Sequence, residues 1–348
     1  MTVAMKENGL PPTTAGNEPA GPALEPLTGA TRDGQPLSLN RAPSPDVAPW
    51  VARIMSAEVN APTGTTIRCG MFNDTANLRV LFHGRWGADT ADGPASYNLG
   101  NEGQALFFGA HSRRMPITVD GSFRVAGLSL RPGAEHAMGG LLPGLSMDRI
   151  IDYDRIVGHG RLGGRFDVGV GHDAWADRFE ALLRDFIERR APPPPDPVTT
   201  AFDRFAFASP DAPVAEFIEG YGVTQRTLER IVRRDFGMTP KQVLRRARVL
   251  DMAAQLLGVA APDEADELAM RFFDQSHLIR EFSHFFGMTP QQLARRPNPL
   301  LRITLEGRQA RRLEELKRIE PGATPWRAEP ASSGRRKARI TSSKSRSS

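Results

Sequence analysis

A segment of 23 residues occurs twice towards the C-terminal end of the chain, at an offset of 50 residues. The first copy covers residues 224–246, the second covers residues 274–296, and both contain the run Phe-Gly-Met-Thr-Pro. A unit this short cannot bury its own apolar face, so the two copies must pack on shared neighbours. The repeat therefore restricts this part of the chain to a domain built from two similar units.

Each copy carries the signals of a helix, a tight turn and a second helix. It begins with a residue that caps a helix N-terminus, and 13 positions later a glycine ends that helix. A Thr-Pro pair, with Gln two positions further on, then predicts a second helix with a capping box. The residues in these roles are Thr224, Gly237, Thr239 and Gln242 in the first copy and Asp274, Gly287, Thr289 and Gln292 in the second.

The first capped helix has two different faces. At 100° per residue, Leu228, Ile231 and Val232 gather on one side. The opposite side collects charged residues, which are Arg226, Glu229, Arg230 and Arg233. Residues 224–248 contain eight basic and two acidic residues, a local charge of +6. A helix that docks on its own domain and presents arginines outward is suited to guanine edges and phosphates in a major groove.

The corresponding helix of the second copy is less charged. Its outer face contains Ser276, Ile279, Arg280 and Ser283, with Gln275 beside it. Glutamine suits adenine, and an apolar side chain suits the methyl group of thymine. Between the units, an Ala- and Leu-rich helix over 240–257 would span roughly 27 Å. Because successive major-groove faces lie about 34 Å apart, we expect this helix to hold both outer faces on one side of a duplex.

The overall charge is weaker evidence for nucleic acid than this local pattern. The chain carries a formal +5, but residues 1–200 sum to −3, residues 201–300 to zero and residues 301–348 to +8. Cys69 is the only cysteine, which excludes a disulfide framework and a four-cysteine zinc site, and we expect it in the core. No apolar run reaches the ~18 residues of a membrane span, so we expect no membrane association.

The changes in residue composition along the chain predict an α+β protein of several domains. A Pro- and Gly-rich segment over 1–47 is predicted to be disordered. Short strands over 48–190 predict a β-rich sensor or dimerisation domain, with a hairpin turn at Asp120-Gly121 and a closing helix over 173–190. A proline linker over 191–198, a helical domain over 199–298, a C-terminal helix over 299–320 and a disordered basic tail over 321–348 complete the prediction.

The double unit resembles the AraC/XylS family of bacterial transcription regulators over about residues 212–296. The two Gly-Met-Thr-Pro runs and the stretch 273–282 carry this resemblance, and it implies a double helix-turn-helix domain. The β-rich region, including residues 128–133, resembles the cupin-like sensor of some family members. The chain departs from the family at Arg271, where glycine is usual, and at Glu267, where a small residue is usual.

Together these observations predict a cytoplasmic, sequence-specific DNA-binding transcription regulator without cofactor or metal. Its partners would be double-stranded DNA and, as candidates, RNA polymerase, a small-molecule effector and a second copy of the chain. The alternative is an enzyme based on the cupin-like domain, with the helices as an accessory interaction module. The predicted DNA-contacting residues are Gln225, Arg226, Glu229, Arg230, Arg233, Gln275, Ser276, Ile279 and Arg280.

Overall fold

The computed structural model describes residues 38–61, 64–157, 162–260 and 275–319. The first part of this range is rich in strands and ends with a long helix, and we call residues 38–190 the β-rich domain. The second part is helical, and we call residues 197–319 the helical domain. No helix of the described residues is long and apolar enough to cross a membrane.

The β-rich domain contains ten strands among the described residues. They are β1 (Ser38–Arg41), β2 (Val51–Val59), β3 (Thr66–Met71), β4 (Asn77–Phe82), β5 (Arg85–Thr90), β6 (Gly93–Asn98), β7 (Gln104–Phe108), β8 (Met115–Asp120), β9 (Phe123–Leu130) and β10 (Ile150–Asp152). They form a six-stranded sheet in the order β1-β2-β9-β4-β7-β10 and a four-stranded sheet in the order β3-β8-β5-β6. Adjacent strands of both sheets run antiparallel in the described residues.

The prediction of a hairpin at Asp120-Gly121 is wrong, although the turn itself forms. Gly121 has φ +84°, as the turn signal requires. However, β8 pairs with β3 and β5 in one sheet, whereas β9 pairs with β2 and β4 in the other. The chain therefore crosses between the two sheets at this turn, because both strands find their partners among residues far away in sequence.

Eleven helices of four or more residues follow the strands or lie between them in the described residues. In the β-rich domain they are α1 (Ala134–Ala137), α2 (Pro143–Ser146), α3 (Tyr153–Val157) and α4 (His172–Arg190). In the helical domain they are α5 (Pro197–Ala208), α6 (Val214–Tyr221), α7 (Gln225–Phe236), α8 (Pro240–Leu256), α9 (Gln275–Phe286), α10 (Pro290–Ala294) and α11 (Pro299–Glu315). The predicted order of a β-rich region followed by an all-helical one is confirmed.

Two hydrophobic clusters hold the molecule together. One packs α4 against the outer face of the six-stranded sheet and contains Trp175, Phe179 and Val80. The other starts between the sheets, with residues such as Ile117, and continues into the helical domain through Phe282 and Val249. The two domains therefore share one continuous apolar core.

Two segments beside the predicted β-rich domain make contacts with it. Strand β1 begins at Ser38 and pairs with β2, so regular structure begins before the predicted boundary at residue 47. Backbone hydrogen bonds to β2 stabilise this segment, although its composition has few apolar residues. The proline linker packs on the β-rich domain, since the indole Nε1 of Trp50 donates to the carbonyl oxygen of Pro193 at 2.8 Å. The predicted disorder of residues 1–37 and of the basic tail lies outside the described residues.

Candidate DNA-binding site

The first copy of the repeat folds as the capping signals predict. The Thr224 hydroxyl accepts from the Thr227 amide at the start of α7, and Gly237 ends this helix with φ +66°. Helix α8 then begins with a complete capping box between Thr239 and Gln242. These caps set the orientation of α7, because they satisfy the backbone groups that a helix end leaves free.

The two faces of α7 are separated as predicted. Leu228, Ile231 and Val232 are buried, and Arg226, Arg230 and Arg233 are exposed. Gln225 is also exposed, and Glu229 is half-buried between its neighbours on the same side. All five residues predicted to contact DNA from this helix therefore lie on its solvent side.

Glu229 organises the outer face of α7. Its Oε1 accepts a hydrogen bond from the side-chain Nε2 of Gln225 at 3.1 Å, and its Oε2 lies 3.7 Å from Arg233 Nη2. Because both pairs are one helical turn apart, the three side chains form a row along the face. Arg226 and Arg230 belong to no ion pair of the described residues, so their guanidinium groups can donate to base edges or phosphates.

Helix α9 presents a smaller outer face. Ile279 is 41% exposed, Arg280 is exposed, and Leu278 and Phe282 on the other side are buried. An exposed isoleucine at this position is suited to contact with a thymine methyl group. Gln275 begins α9. The surroundings of the Gln275 and Ser276 side chains, and the residues Glu267 and Arg271, lie outside what the structure describes.

Buried charge fixes α9 on α8. The carboxylate of Glu281 is 2% exposed and accepts from Arg245 Nε at 2.5 Å and from Arg248 Nη2 at 3.1 Å. The ring of Phe285 also lies 5.8 Å from the Arg245 guanidinium carbon. Helix α7 packs on α8 as well. One helix therefore supports both outer faces.

The charge of +6 over residues 224–248 overstates the basic surface. Arg245 and Arg248 form ion pairs with Glu281. Arg234 pairs with Asp235, with Nε 2.6 Å from Oδ1. Arg246 is 2% exposed. The exposed basic residues of this segment are Arg226, Arg230, Arg233 and Lys241. A sequence count cannot separate these from the buried ones, because both sets occur at helical spacing.

The C-terminal end of α7 touches the β-rich domain. An added Cβ at Gly237 would lie 2.6 Å from the Met147 methyl group and 3.1 Å from the Pro143 carbonyl carbon, so α2 packs directly on the turn. Asp235 is 2% exposed, and its carboxylate faces Gly133 just ahead of α1. Sequence reasoning missed this contact, because α1 and α2 are too short to show a periodic pattern.

Residues 219–296 match the family model described as a helix-turn-helix domain. This part of the chain is an AraC-type helix-turn-helix domain. The match covers α7, α8, α9 and most of α10, the elements that carry the outer faces described above. The chain is a DNA-binding transcription regulator, and the comparisons give no support to a cupin-based enzyme.

Solved structures with some similarity to this chain include those of ToxT and CuxR. ToxT of Vibrio cholerae is 9% identical, with a TM-score of 0.40 over 69% of this chain and 97% of ToxT. A fatty-acid-bound ToxT structure from the same organism is 10% identical, with a TM-score of 0.40 over 69% and 94%. The AraC-like transcriptional activator CuxR is 11% identical, with a TM-score of 0.26 over 57% and 76%. No curated protein matches the sequence.

Cys69 lies in the hydrophobic core, as the sequence predicts. Cys69 is 5% exposed, and burial raises the pKa of its thiol, which opposes a nucleophilic role. Among the described residues, no three His, Cys, Asp or Glu side chains group closely enough to hold a metal ion.

Proposed function

We propose that the chain regulates transcription by inserting α7 and α9 into successive major grooves of one operator. The observation that carries this proposal is the exposed face of α7, where Arg226, Arg230 and Arg233 point to solvent while the opposite face is buried. A recognition helix needs both properties, since it must be held rigidly and must also reach base edges.

The residues of these faces divide into two roles. Arg230, near the middle of α7, is placed to read a base, and Gln275 and Arg280 would do so from α9. Arg226 and Arg233 are about two turns apart on α7 and would contact phosphates on either side of the groove, which positions the helix. Glu229 accepts from cytosine or aligns Arg233 through their ion pair.

The support of both helices by α8 favours two grooves on one side of the duplex. Helix α8 contains 17 residues, which corresponds to about 26 Å. This length is comparable to the ~34 Å between successive groove faces, and both α7 and α9 contact α8. The expected footprint is therefore two protected patches about one helical turn apart.

The β-rich domain would set the activity of the helical domain. The shared core supports this, since Leu228 of α7 and Phe282 of α9 belong to the same apolar cluster as side chains of the sheets. The cytoplasm is the compartment where such a regulator meets its operator. RNA polymerase, a small-molecule effector and a second copy of the chain are the further partners that we propose.

The test begins by selecting operators for the full-length chain from a pool of random duplexes, followed by footprinting. We expect Arg230→Ala to weaken binding to the selected duplex by ~1–3 kcal/mol and to relax the preference at one base pair. Arg189→Ala is the matched control, because this arginine on α4 is 63% exposed and lies far from the repeat in sequence.

Three results would contradict the proposal. One is selection of no common sequence. Another is a footprint confined to a single groove. The third is an equal loss of affinity for selected and random duplexes in Arg230→Ala, which would remove this residue from base reading.

A further inference from the structure

A cleft lies between the β-rich domain and the C-terminal helix α11. It encloses about 490 Å³ of space, part of it open to solvent. Strands β2, β4 and β9 line one side, and α11 lines the other. Four arginines line the cleft, and they are Arg53, Arg79, Arg308 and Arg311. It is separate from the outer faces of α7 and α9, none of whose residues line it.

Three of these arginines have carboxylate partners. Arg53 lies 2.5 Å from Glu314 Oε2, and Arg311 pairs with Asp203. Arg308 lies 2.5 Å from Asp251 Oδ1 and 3.1 Å from Asp74 Oδ2. Asp74 itself lines the cleft. Burial alone would raise its pKa, but the charges of the surrounding arginines lower it, so this carboxylate is ionised and is neutralised by Arg308.

Arg79 is the exception among the four. It is 4% exposed and belongs to no ion pair of the described residues. Its terminal nitrogens donate to neutral acceptors, the Met71 sulfur at 2.9 Å and the Asn73 Oδ1 at 3.2 Å. Its guanidinium carbon also lies 4.7 Å from the centre of the Phe108 ring. A buried charge with only neutral partners destabilises the fold, because no ion pair offsets the free energy of its lost hydration.

Donors around Arg79 are also left over. Arg79 Nε, Asn73 Nδ2 and Arg311 Nε are buried and have no hydrogen-bond acceptor among the described residues. All three belong to side chains that line the cleft. Burial lowers the pKa of Arg79 to about 10, so the side chain still carries its charge at neutral pH. The described residues therefore leave one buried positive charge without a carboxylate partner and three N–H donors without acceptors, all on side chains that line this cleft.

We propose that this cleft binds a small oxyanion, the carboxylate or phosphate group of a polar metabolite, with Arg79 as its charge partner. Oxyanions match this set of donors, because they accept several N–H bonds at once. Asn40, Thr75, Ser129 and Thr304 add hydroxyl and amide groups for the rest of a polar metabolite, beside the apolar side chains of Met55, Phe72 and Ile303. The bound anion contacts both β4 and α11, so it bridges the two domains.

The test uses the full-length chain and two probes, sodium phosphate and sodium succinate, at constant ionic strength kept with sodium chloride. We expect at least one probe to raise the thermal midpoint in a saturable way, because a ligand that binds only the folded state stabilises it. The probe that acts distinguishes a phosphate from a carboxylate site. Isothermal titration gives the Kd.

Variants separate this site from the DNA-binding face. Arg79→Met is expected to raise the Kd roughly 10- to 100-fold, because the variant loses a charged hydrogen bond to the anion. Arg79→Lys keeps the charge and is expected to retain part of the affinity. Arg230→Ala is the matched control and should bind the anion as the unaltered chain does, because Arg230 lies outside the cleft.

A second variant keeps the proposal testable if Arg79→Met does not fold. Thr304→Glu places a carboxylate in the cleft from a half-buried position on α11. We expect it to abolish stabilisation by the anion and to raise the thermal midpoint in chloride alone. The proposal is overturned if neither probe stabilises beyond chloride, or if both Arg79→Met and Thr304→Glu respond to it like the unaltered chain. A failure of anion binding would leave the selection of an operator by the unaltered chain unchanged, so the two proposals can fail separately.

Discussion

At the scale of the residue, the final arginine of each repeat copy shows how position changes a role. Arg246 is 2% exposed and donates to the backbone carbonyls of His111, at 2.9 Å, and Asp74, at 2.8 Å. Arg296 holds the same place in the second copy and is exposed. Arg246 therefore ties α8 to the β-rich domain, whereas its counterpart faces solvent.

Removing Arg246 should be far more costly than removing Arg296. Arg246→Ala leaves two buried carbonyl groups without their donor, and we expect a loss of about 2–3 kcal/mol in the free energy of unfolding. Arg296→Ala should change it by less than about 0.5 kcal/mol. Urea denaturation of both variants provides the comparison, and similar losses would show that the bonds to His111 and Asp74 do not stabilise the molecule.

Glu135 makes the stability of the molecule depend on pH. It is 5% exposed on α1, and burial raises its pKa from 4.5 to about 8; the hydrogen bond from Ser146 opposes this rise and the charge of Asp235 adds to it. Asp235 is itself held by Arg234 and Thr199. The unfolded chain releases the proton of this carboxyl near 4.5, whereas the folded chain keeps it up to about 8.

Stability should therefore fall as the pH rises through this window and should level off above about 8. Glu135→Gln removes the titrating group, so its unfolding midpoint should depend less on pH over the same range. Glu188→Gln, an exposed position on α4, is the control and should keep the slope. Thermal denaturation between pH 5 and 9 measures both, and an unchanged slope in Glu135→Gln would count against the effect.

At the scale of the element, α8 supports the helices that are proposed to read DNA. It runs without a break from Pro240 to Leu256 and contacts α7, α9, α10 and α11. Its hold on α9 depends on Glu281, which binds arginines on two successive turns of α8. One buried carboxylate between two helices thus contributes to the rigidity of the site, together with the apolar core.

Glu281→Gln should weaken the packing of α9 on α8, although glutamine and glutamate are nearly equal in size. The change removes the buried carboxylate that holds two arginines, of which Arg248 keeps a second partner, Asp211 at 3.7 Å. We therefore expect a loss of about 3 kcal/mol in the free energy of unfolding. Glu229→Gln is the matched control, as its partner Arg233 is 61% exposed and the pair is worth less than about 1 kcal/mol. Chemical denaturation gives both values, and equal losses would refute a special role for Glu281.

At the scale of the whole molecule, the two domains are packed as one body. Phe72, just after β3, lies 5.3 Å from Phe286 and 6.2 Å from Phe285, measured between ring centres. The amide of Arg114 donates to the carbonyl of Phe285 at 2.8 Å. Helix α11 lies against β2 and β3 on one side and against α5 and α8 on the other. The end of α9 therefore depends on the β-rich domain for its packing.

Phe72→Ala should destabilise both domains together. Loss of a fully buried phenylalanine costs about 3–5 kcal/mol, and here the cavity borders α9 as well as the sheets. Tryptophan fluorescence follows the β-rich domain through Trp50, Trp86 and Trp175, and far-ultraviolet circular dichroism follows the helices. The two signals should shift by the same amount, whereas a shift confined to fluorescence would show that the domains unfold separately.

The sequence by itself determined the local structure of the repeat and the outer surface of α7. Capping residues and glycine turns act within a few positions, so their effect is visible in a linear pattern, and the capping boxes of α8 and α10 form as predicted. The face of α7 follows in the same way, because helical periodicity depends only on spacing. The contacts of these faces with DNA stay predictions.

Only the tertiary structure decided how the elements meet. It placed β8 and β9 in different sheets, buried Arg246 and left Arg296 exposed, and gathered Arg53, Arg79, Arg308 and Arg311 around one cleft. These relations join residues up to some 260 positions apart, such as Arg53 and Glu314. They arise from burial and pairing across the chain, and no local pattern of charge or hydrophobicity encodes which arginine will find a carboxylate.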